Sequence, residues 1–208
     1  MYTSAMNTPS KTAAPPRRRD AEATREAILV SARKAFAASG YDGAGLREIA
    51  AGAGVTAMMV NRYFGSKEQL FAEVVAASMT DPVILRPENL SSPEMGRDLA
   101  RALVGLTGAG QNPLDGFLIL FRSASNPVAA QIAREQIAEI HQRTAQDAVR
   151  GKDHPAQRAA IFLSLVAGIQ MMRQMIGLAA LTEADPDVLV DMLTPLIEQI
   201  MTGAAKRG

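Results

Sequence analysis

Between Leu46 and Lys67 the chain reads LREIAAGAGVTAMMVNRYFGSK, and this stretch carries the most specific chemistry in the sequence. Ile49 and Ala50 give a first short helix something to seat on a scaffold. Gly54 permits a sharp bend, Val55 pins the chain after it, and Val60 with Phe64 seat a second helix. The remaining face of that second helix is then left without core residues. A two-helix unit of this kind fits a DNA major groove, the N-terminal part of the second helix facing base edges while its flanks meet phosphates. The chemistry implied is recognition of a duplex. Signatures of catalysis are missing: the sequence has no GxGxxG, no phosphate-cradling GxxxxGK[ST], no HExxH and no GxSxG. It has no cysteine, and its two histidines, His141 and His154, stand thirteen positions apart without companions. No metal site and no cofactor are expected.

The elements that must position this unit can be read from punctuation. Of 208 residues, 48% are hydrophobic, enough for a core without staples. Residues 1–19 are rich in Pro, Ser, Thr and Ala and are expected to form a disordered basic arm, with Arg17, Arg18 and Arg19 available to phosphates or a minor groove. A first helix is predicted from Asp20 or Ala21 to Ser39, with Asp20 as its cap, Ile28, Ala32, Ala35 and Phe36 as its buried stripe, and Gly40 ending it. Thr56 can cap the second helix of the unit, and Ser66 with Gln69 form a capping box for a further helix carrying Leu70, Phe71, Val74 and Val75. Later helix starts are marked by Ser92-Pro93, Asn112-Pro113, Asn126-Pro127, His154-Pro155 and Asp185-Pro186. Residues 81–91 read as an irregular connector and 151–154 as a loop. Lys and Arg number ten against seven acids in residues 1–80, and twelve against fourteen beyond, a basic front and a slightly acidic rear. The longest apolar stretch, Ala159 to Leu181, has Gln170, Arg173 and Gln174 near its middle, so it reads as a buried helix and not a membrane span.

Taken together, AFAASGYDGAG, LREIAAGAGV and RYFGSKEQLF resemble the DNA-binding domain of the tetracycline-repressor-like (TetR) family over roughly residues 24–71. Phe36, Gly40, Ile49-Ala50, Gly54-Val55, Tyr63-Phe64 and Lys67 match that pattern jointly. The resemblance implies an all-α protein: a three-helix homeodomain-like helix-turn-helix domain, placed at 20–66, followed by a larger helical ligand-binding and dimerisation domain, placed at 67–208. It also implies a homodimer on inverted half-sites of double-stranded DNA, and a small-molecule effector. By position, the expected DNA contacts are Arg47, Thr56, Ala57, Met58, Met59, Asn61, Arg62, Tyr63 and Lys67. Lys67 and Tyr63 would meet phosphates, Arg47 and Arg62 a base or phosphate, and Ala57, Met58 and Met59 apolar base edges such as thymine methyls. Two positions depart from the family pattern. Gly45 stands where Thr or Ser caps the first helix of the unit, and Asn61 where a Tyr commonly touches the DNA backbone.

In the rear region, Phe162, Leu165, Ile169, Met172 and Ile176 follow steps of three and four, as do Leu189, Met192 or Leu193, Leu196 and Ile200. These two seams are the expected dimerisation surface. The expected ligand pocket lies between the central helices, lined by Leu103, Phe117, Leu120, Phe121, Met171 and Met175. Arg122 and Arg173 would be costly to bury unpaired, so each is a candidate for a ligand acid or an internal carboxylate, with a solvated position an equal alternative for Arg122. The function expected is a cytoplasmic transcription regulator, a repressor released from its operator by a small, largely apolar ligand. The alternatives are a helical ligand-binding protein or enzyme whose N-terminal unit is only structural, and an architectural DNA binder without an effector.

Overall fold

The structure, a computed structural model, describes residues 16–80, 82–108, 115–150 and 153–203; of 16–19 only the backbone is described. These are helical throughout, with no strand among the described residues. The four N-terminal helices are α1 (Pro16–Gly43), α2 (Leu46–Gly52), α3 (Ala57–Phe64) and α4 (Lys67–Ser78). Short α5 (Pro87–Ser91), then α6 (Met95–Leu106), α7 (Asp115–Ser123) and α8 (Pro127–Gln136) follow. A π-helical segment, Ile137–Gln142, joins α8 to α9 (Arg143–Ala148). A second, Met171–Ile176, extends α10 (Pro155–Gln170), before α11 (Ala179–Thr182) and α12 (Pro186–Thr202).

The predicted stripe of α1 holds: Ile28, Ala32, Ala35 and Phe36 are buried. Its start does not. The helix begins at Pro16, so Asp20 lies inside it, accepting a hydrogen bond on its carbonyl from Thr24, and the three arginines of the expected arm stand on helical backbone. Residues 1–15 of that arm lie outside the described residues. Gly40 breaks the helix with φ 69° and ψ −175°, but one further turn follows to Gly43. That turn buries Tyr41, whose ring meets Phe71 edge-on at 5.1 Å, while Phe36 meets Phe71 at 5.0 Å. Such pairs lock α4 to the end of α1. Thr56 and Ser66 cap α3 and α4, accepting from the N–H groups of Met59 and Gln69. The return half of the Ser66 box is absent, because the Ser66 N–H donates to the Phe64 carbonyl at 2.9 Å.

Of the proline starts, Asn126 and Asp185 cap α8 and α12 as expected, and Pro155 opens α10. Ser92-Pro93 instead closes α5, and α6 begins two residues later. Asn112-Pro113 lies outside the described residues. The stretch read as an irregular connector holds α5 and buries Ile84 and Leu85.

Two apolar cores result. The first joins α1–α4 with Ile119 of α7 and Ala129 of α8. The second joins α6, α9, α10 and α12 around Leu99, Leu103, Phe162 and Ile197. Helix α4, assigned from sequence to the rear domain, thus shares a core with the front. Among the described residues neither of the two arginines singled out as costly to bury pairs with a carboxylate, and Arg122 is exposed. Arg122 donates to the carbonyls of Ala37 and Ala38, where α1 breaks. Arg173 is buried and donates to the carbonyls of Val104 (2.8 Å) and Leu181 (3.1 Å) and to the Thr107 hydroxyl (2.5 Å). Each cation therefore closes the carbonyl end of a helix, where the backbone dipole is negative.

Candidate nucleic-acid interface and ligand cavity

Helix α3 inserts two side chains, Val60 and Phe64, into the first core. The rest of its surface follows from that choice, because positions between i and i+4 must point away. Met58 is 81% exposed, Asn61 and Arg62 are exposed, and Met59 is partly so. Ala57 and Tyr63 are half-buried, resting on the core edge. Arg47 and Thr56 are exposed on α2 and at the α3 cap. Gly54, at φ 68°, makes the bend, and the Val55 N–H returns to the Ala50 carbonyl at 2.9 Å. Gly45 caps α2 with no side-chain bond. All nine residues expected to meet DNA thus lie on α2, on α3 and its cap, and at the start of α4.

Lys67 is held in place. Its ammonium lies 4.7 Å from the centre of the Tyr41 ring, and the Tyr41 hydroxyl donates to the Glu68 carboxylate at 2.9 Å. Burial, then the hydrogen bond to Glu68, pushes the Tyr41 phenol up to about 12. Glu68 is held below the usual carboxylate range by hydrogen bonds from Ser66, its own backbone N–H and Tyr41. Arg25 lies over Phe64 at 4.9 Å and pairs with Glu73, fixing the far side of α3 to α1 and α4.

Between the two cores lies a cavity of about 230 Å³. Of the six residues expected to line it, Phe117 and Leu120 do. Leu103 does not, because the inward face of α6 packs against α12. Phe121 stacks on Phe117 at 6.1 Å on the outer side, half-exposed. Met171 and Met175 are half-buried outside the cavity, because their π segment docks Arg173 and Gln174 against the end of α6. The lining residues missed from sequence fall in five groups: Ser78 and Met79 at the end of α4, the run from Pro82 to Leu85, Ile137 and His141, Leu163, Val166, Ala167 and Gln170, and the scattered Arg33, Leu106, Asp115, Gly116 and Phe162. The apolar run Pro-Val-Ile-Leu was a signal for the second group. His141 stands four residues after Ile137, one helical turn on, so that i, i+4 spacing was the signal for the third group.

Phe162 is buried and also lines the cavity, and Leu189 and Leu193 are buried in the second core, so these three expected dimer contacts face inward. Leu165, Ile169 and Ile200 are half-buried against that core, and Met172 is half-buried as well. Leu196 is exposed, and beside it from α10 to α12 so are Ile161, Ile176, Leu178, Val188 and Met192. Residues 155–176 are long and apolar enough to cross a membrane by length and composition. One side of this helix packs on α9 and α12; the other stays open, so it is not the fully buried helix expected. Its apolar residues run all round, and one chain covers only part of them. No group of three potential metal ligands exists among the described residues.

Burial holds the His141 imidazole below its ordinary range, favouring the neutral form. The other charged groups lining the cavity, Arg33 and Asp115, are paired with each other at 3.2 Å. Because the folded pKa is depressed, the unfolded chain takes up the proton first on acidification. Stability is therefore expected to be full above pH ~6.5 and to fall as pH drops below it. Chemical denaturation of the wild type and His141→Asn between pH 5 and 8 checks this: the variant should show a shallower acid loss, and parallel curves would remove His141 as the cause.

The residues on which this geometry rests also match family models. Residues 28–74 match the model described as bacterial regulatory proteins, tetR family, and residues 93–201 match the tetracyclin repressor-like C-terminal domain. The chain belongs to the TetR family. It carries that family's architecture, an N-terminal helix-turn-helix with a helical C-terminal domain, and is a transcription regulator by this membership. Solved TetR-like folds cover most of it. A transcriptional regulator from Rhodococcus sp. Rha1 is 23% identical, over 88% of this chain and 99% of that one, at a TM-score of 0.63. The multidrug binding protein EbrR, solved with ethidium, is 18% identical over 84% and 98% (TM-score 0.61). AibR, solved with isovaleryl coenzyme A and operator DNA, is 19% identical over 84% and 97% (TM-score 0.58). No protein of curated function matches the chain.

Proposed function

We propose that this TetR-family chain is a ligand-responsive repressor that binds an inverted-repeat operator as a homodimer and leaves it when a small, largely apolar molecule enters the cavity. The observation that carries the reading is the exposed face of α3, with Met58, Asn61 and Arg62 open to solvent beside Lys67. AibR, a fold relative, is solved with both isovaleryl coenzyme A and operator DNA, and EbrR with ethidium, which supports a two-site reading here. Helix α4 supplies the link. Lys67 opens it beside α3, and Ser78, its last residue, lines the cavity. At 1.5 Å per residue this is a rigid lever about 18 Å long. A ligand that prefers one tilt of α4 changes the population of dimers whose α3 helices match half-site spacing. The open apolar positions of α10 and α12, among them Ile161, Met192 and Leu196, support pairing of two copies there.

The test is DNA binding by fragments selected from the source genome. Lys67→Ala should weaken binding across sequences by roughly tenfold at low salt and lower the salt slope by about one. An equal loss at every salt concentration counts against a phosphate contact, and no selected fragment at all removes the regulator reading.

A further inference from the structure

We infer that the cavity takes an uncharged, compact, mostly apolar molecule bearing one hydroxyl, of the size of a short-chain alkylphenol, with His141 and Gln170 gripping the hydroxyl. This rests on the reading of the cavity as the effector site and names what that effector is chemically.

Three observations carry it. First, the cavity offers no free charge. Arg33 and Asp115 neutralise each other at 3.2 Å, and the remaining polar lining consists of Ser78, His141 and Gln170. The Ser78 hydroxyl is already committed to the Val74 carbonyl at 2.7 Å. An anion or cation entering here would lose its hydration without a counter-charge, a large cost in apolar surroundings.

Second, two polar groups are left wanting partners. Gln170 is 6% exposed and lines the cavity with His141; no side-chain hydrogen bond to either is found among the described residues, and their polar atoms are open to the cavity, the one sealed side-chain atom without a partner being Gln174 Oε1 outside it. Polar groups inside an apolar wall find partners, so an amide and an imidazole that open on the cavity without a protein partner mark where a ligand or water completes the set. A neutral imidazole carries one donor and one acceptor, and the amide carries both kinds, so a single hydroxyl can donate to one residue and accept from the other. A carbonyl or ether can only accept and leaves the acceptor atoms unmet. Both residues belong to elements altered at this place: His141 lies in the π segment after α8, and Gln170 is the last α-helical residue before the π segment after α10. Such departures from α geometry gather at binding sites.

Third, the size and walls fit. About 230 Å³ is below the usual range for drug-sized ligands, which points to one ring with a short substituent. Phe117 and Phe162 supply ring edges and faces, and Met79 a polarisable sulfur that adapts to an aromatic guest.

The experiment is calorimetric titration of the full-length protein, without DNA, with four probes: 4-ethylphenol, ethylbenzene, 4-ethylbenzoate and (4-ethylbenzyl)trimethylammonium. The phenol should bind most tightly, and the anion and cation at least tenfold more weakly. His141→Phe and Gln170→Leu should each cost the phenol roughly tenfold and leave ethylbenzene unchanged or improved. His141→Asn, closer in polarity, provides the same comparison should the phenylalanine variant fail to fold; it should recover part of the phenol's advantage. Equal or tighter binding of a charged probe, no binding of the phenol up to millimolar concentration, or full phenol affinity in the variants each overturns the inference. Mobility shifts on a selected DNA fragment are read separately. If the phenol binds as described but leaves the DNA complex intact, the ligand class stands and the release mechanism falls. If the complex forms and only a charged probe dissolves it, the ligand class falls and the regulator stands.

Discussion

Gly40→Ala is expected to destabilise the protein by roughly 3–5 kcal/mol, a fall in Tm of about 10 °C for a chain of this length. Two effects combine. The backbone at Gly40 has φ 69° and ψ −175°, a region that residues with a Cβ scarcely enter, at a cost of about 1–3 kcal/mol. In addition, a Cβ there would lie 2.5 Å from the Arg122 carbonyl oxygen and 3.0 Å from its carbon. Those atoms are backbone and cannot swing aside. The collision falls where the end of α7 is tied to the end of α1. Arg122 donates to Ala37 and Ala38, the Tyr41 N–H donates to the Ser123 hydroxyl at 2.9 Å, and the Asn126 amide donates to the Asp42 carboxylate at 2.8 Å. Gly54 is the control. Its φ is 68°, but a Cβ there meets nothing within 4 Å, so Gly54→Ala should cost only the conformational strain, about 1–2 kcal/mol. Thermal denaturation of both variants checks this. Equal losses at the two sites would mean that the contact with Arg122 does not matter.

Met58→Glu is expected to abolish DNA binding, with a loss of at least 100-fold in affinity and a Tm within about 1 °C of the wild type, since like-charge juxtaposition at an interface costs several kcal/mol. Met58 is 81% exposed and touches little of the fold, so its replacement has almost no folded-state cost. It stands in the first turn of α3, one residue after Ala57 and two after the Thr56 cap, the end that the proposed docking in a major groove would turn to base edges. A carboxylate there meets the negative field of the duplex and replaces an apolar contact. Met58→Leu should retain most of the affinity. Binding of Met58→Glu within threefold of the wild type, measured by anisotropy on a selected fragment, would mean that α3 does not enter a groove.

The sequence alone determined the front of this protein because local rules govern it. The period of Ile28, Ala32, Ala35 and Phe36, the glycines at the bends, and the Thr56 and Ser66 caps act within a few residues, so they survive in any fold that uses them. With Val60 and Phe64 committed inward, the outward set on α3 was fixed by helix geometry. The rear resisted for the opposite reason. Helices α10 and α12 are apolar on more than one side, so periodicity could not say which side faces the chain's own core. Leu189 and Leu193 turned in, while Met192 and Leu196 stayed out. The cavity belongs to the tertiary structure in a stronger sense. Its walls come from α4, the 82–85 run, α7, the π segment after α8 and α10, which meet only when two cores form side by side. His141 enters it beside Ile137, four residues earlier on the same face, but only the packing of α8 and its π segment against α10 makes that face a cavity wall.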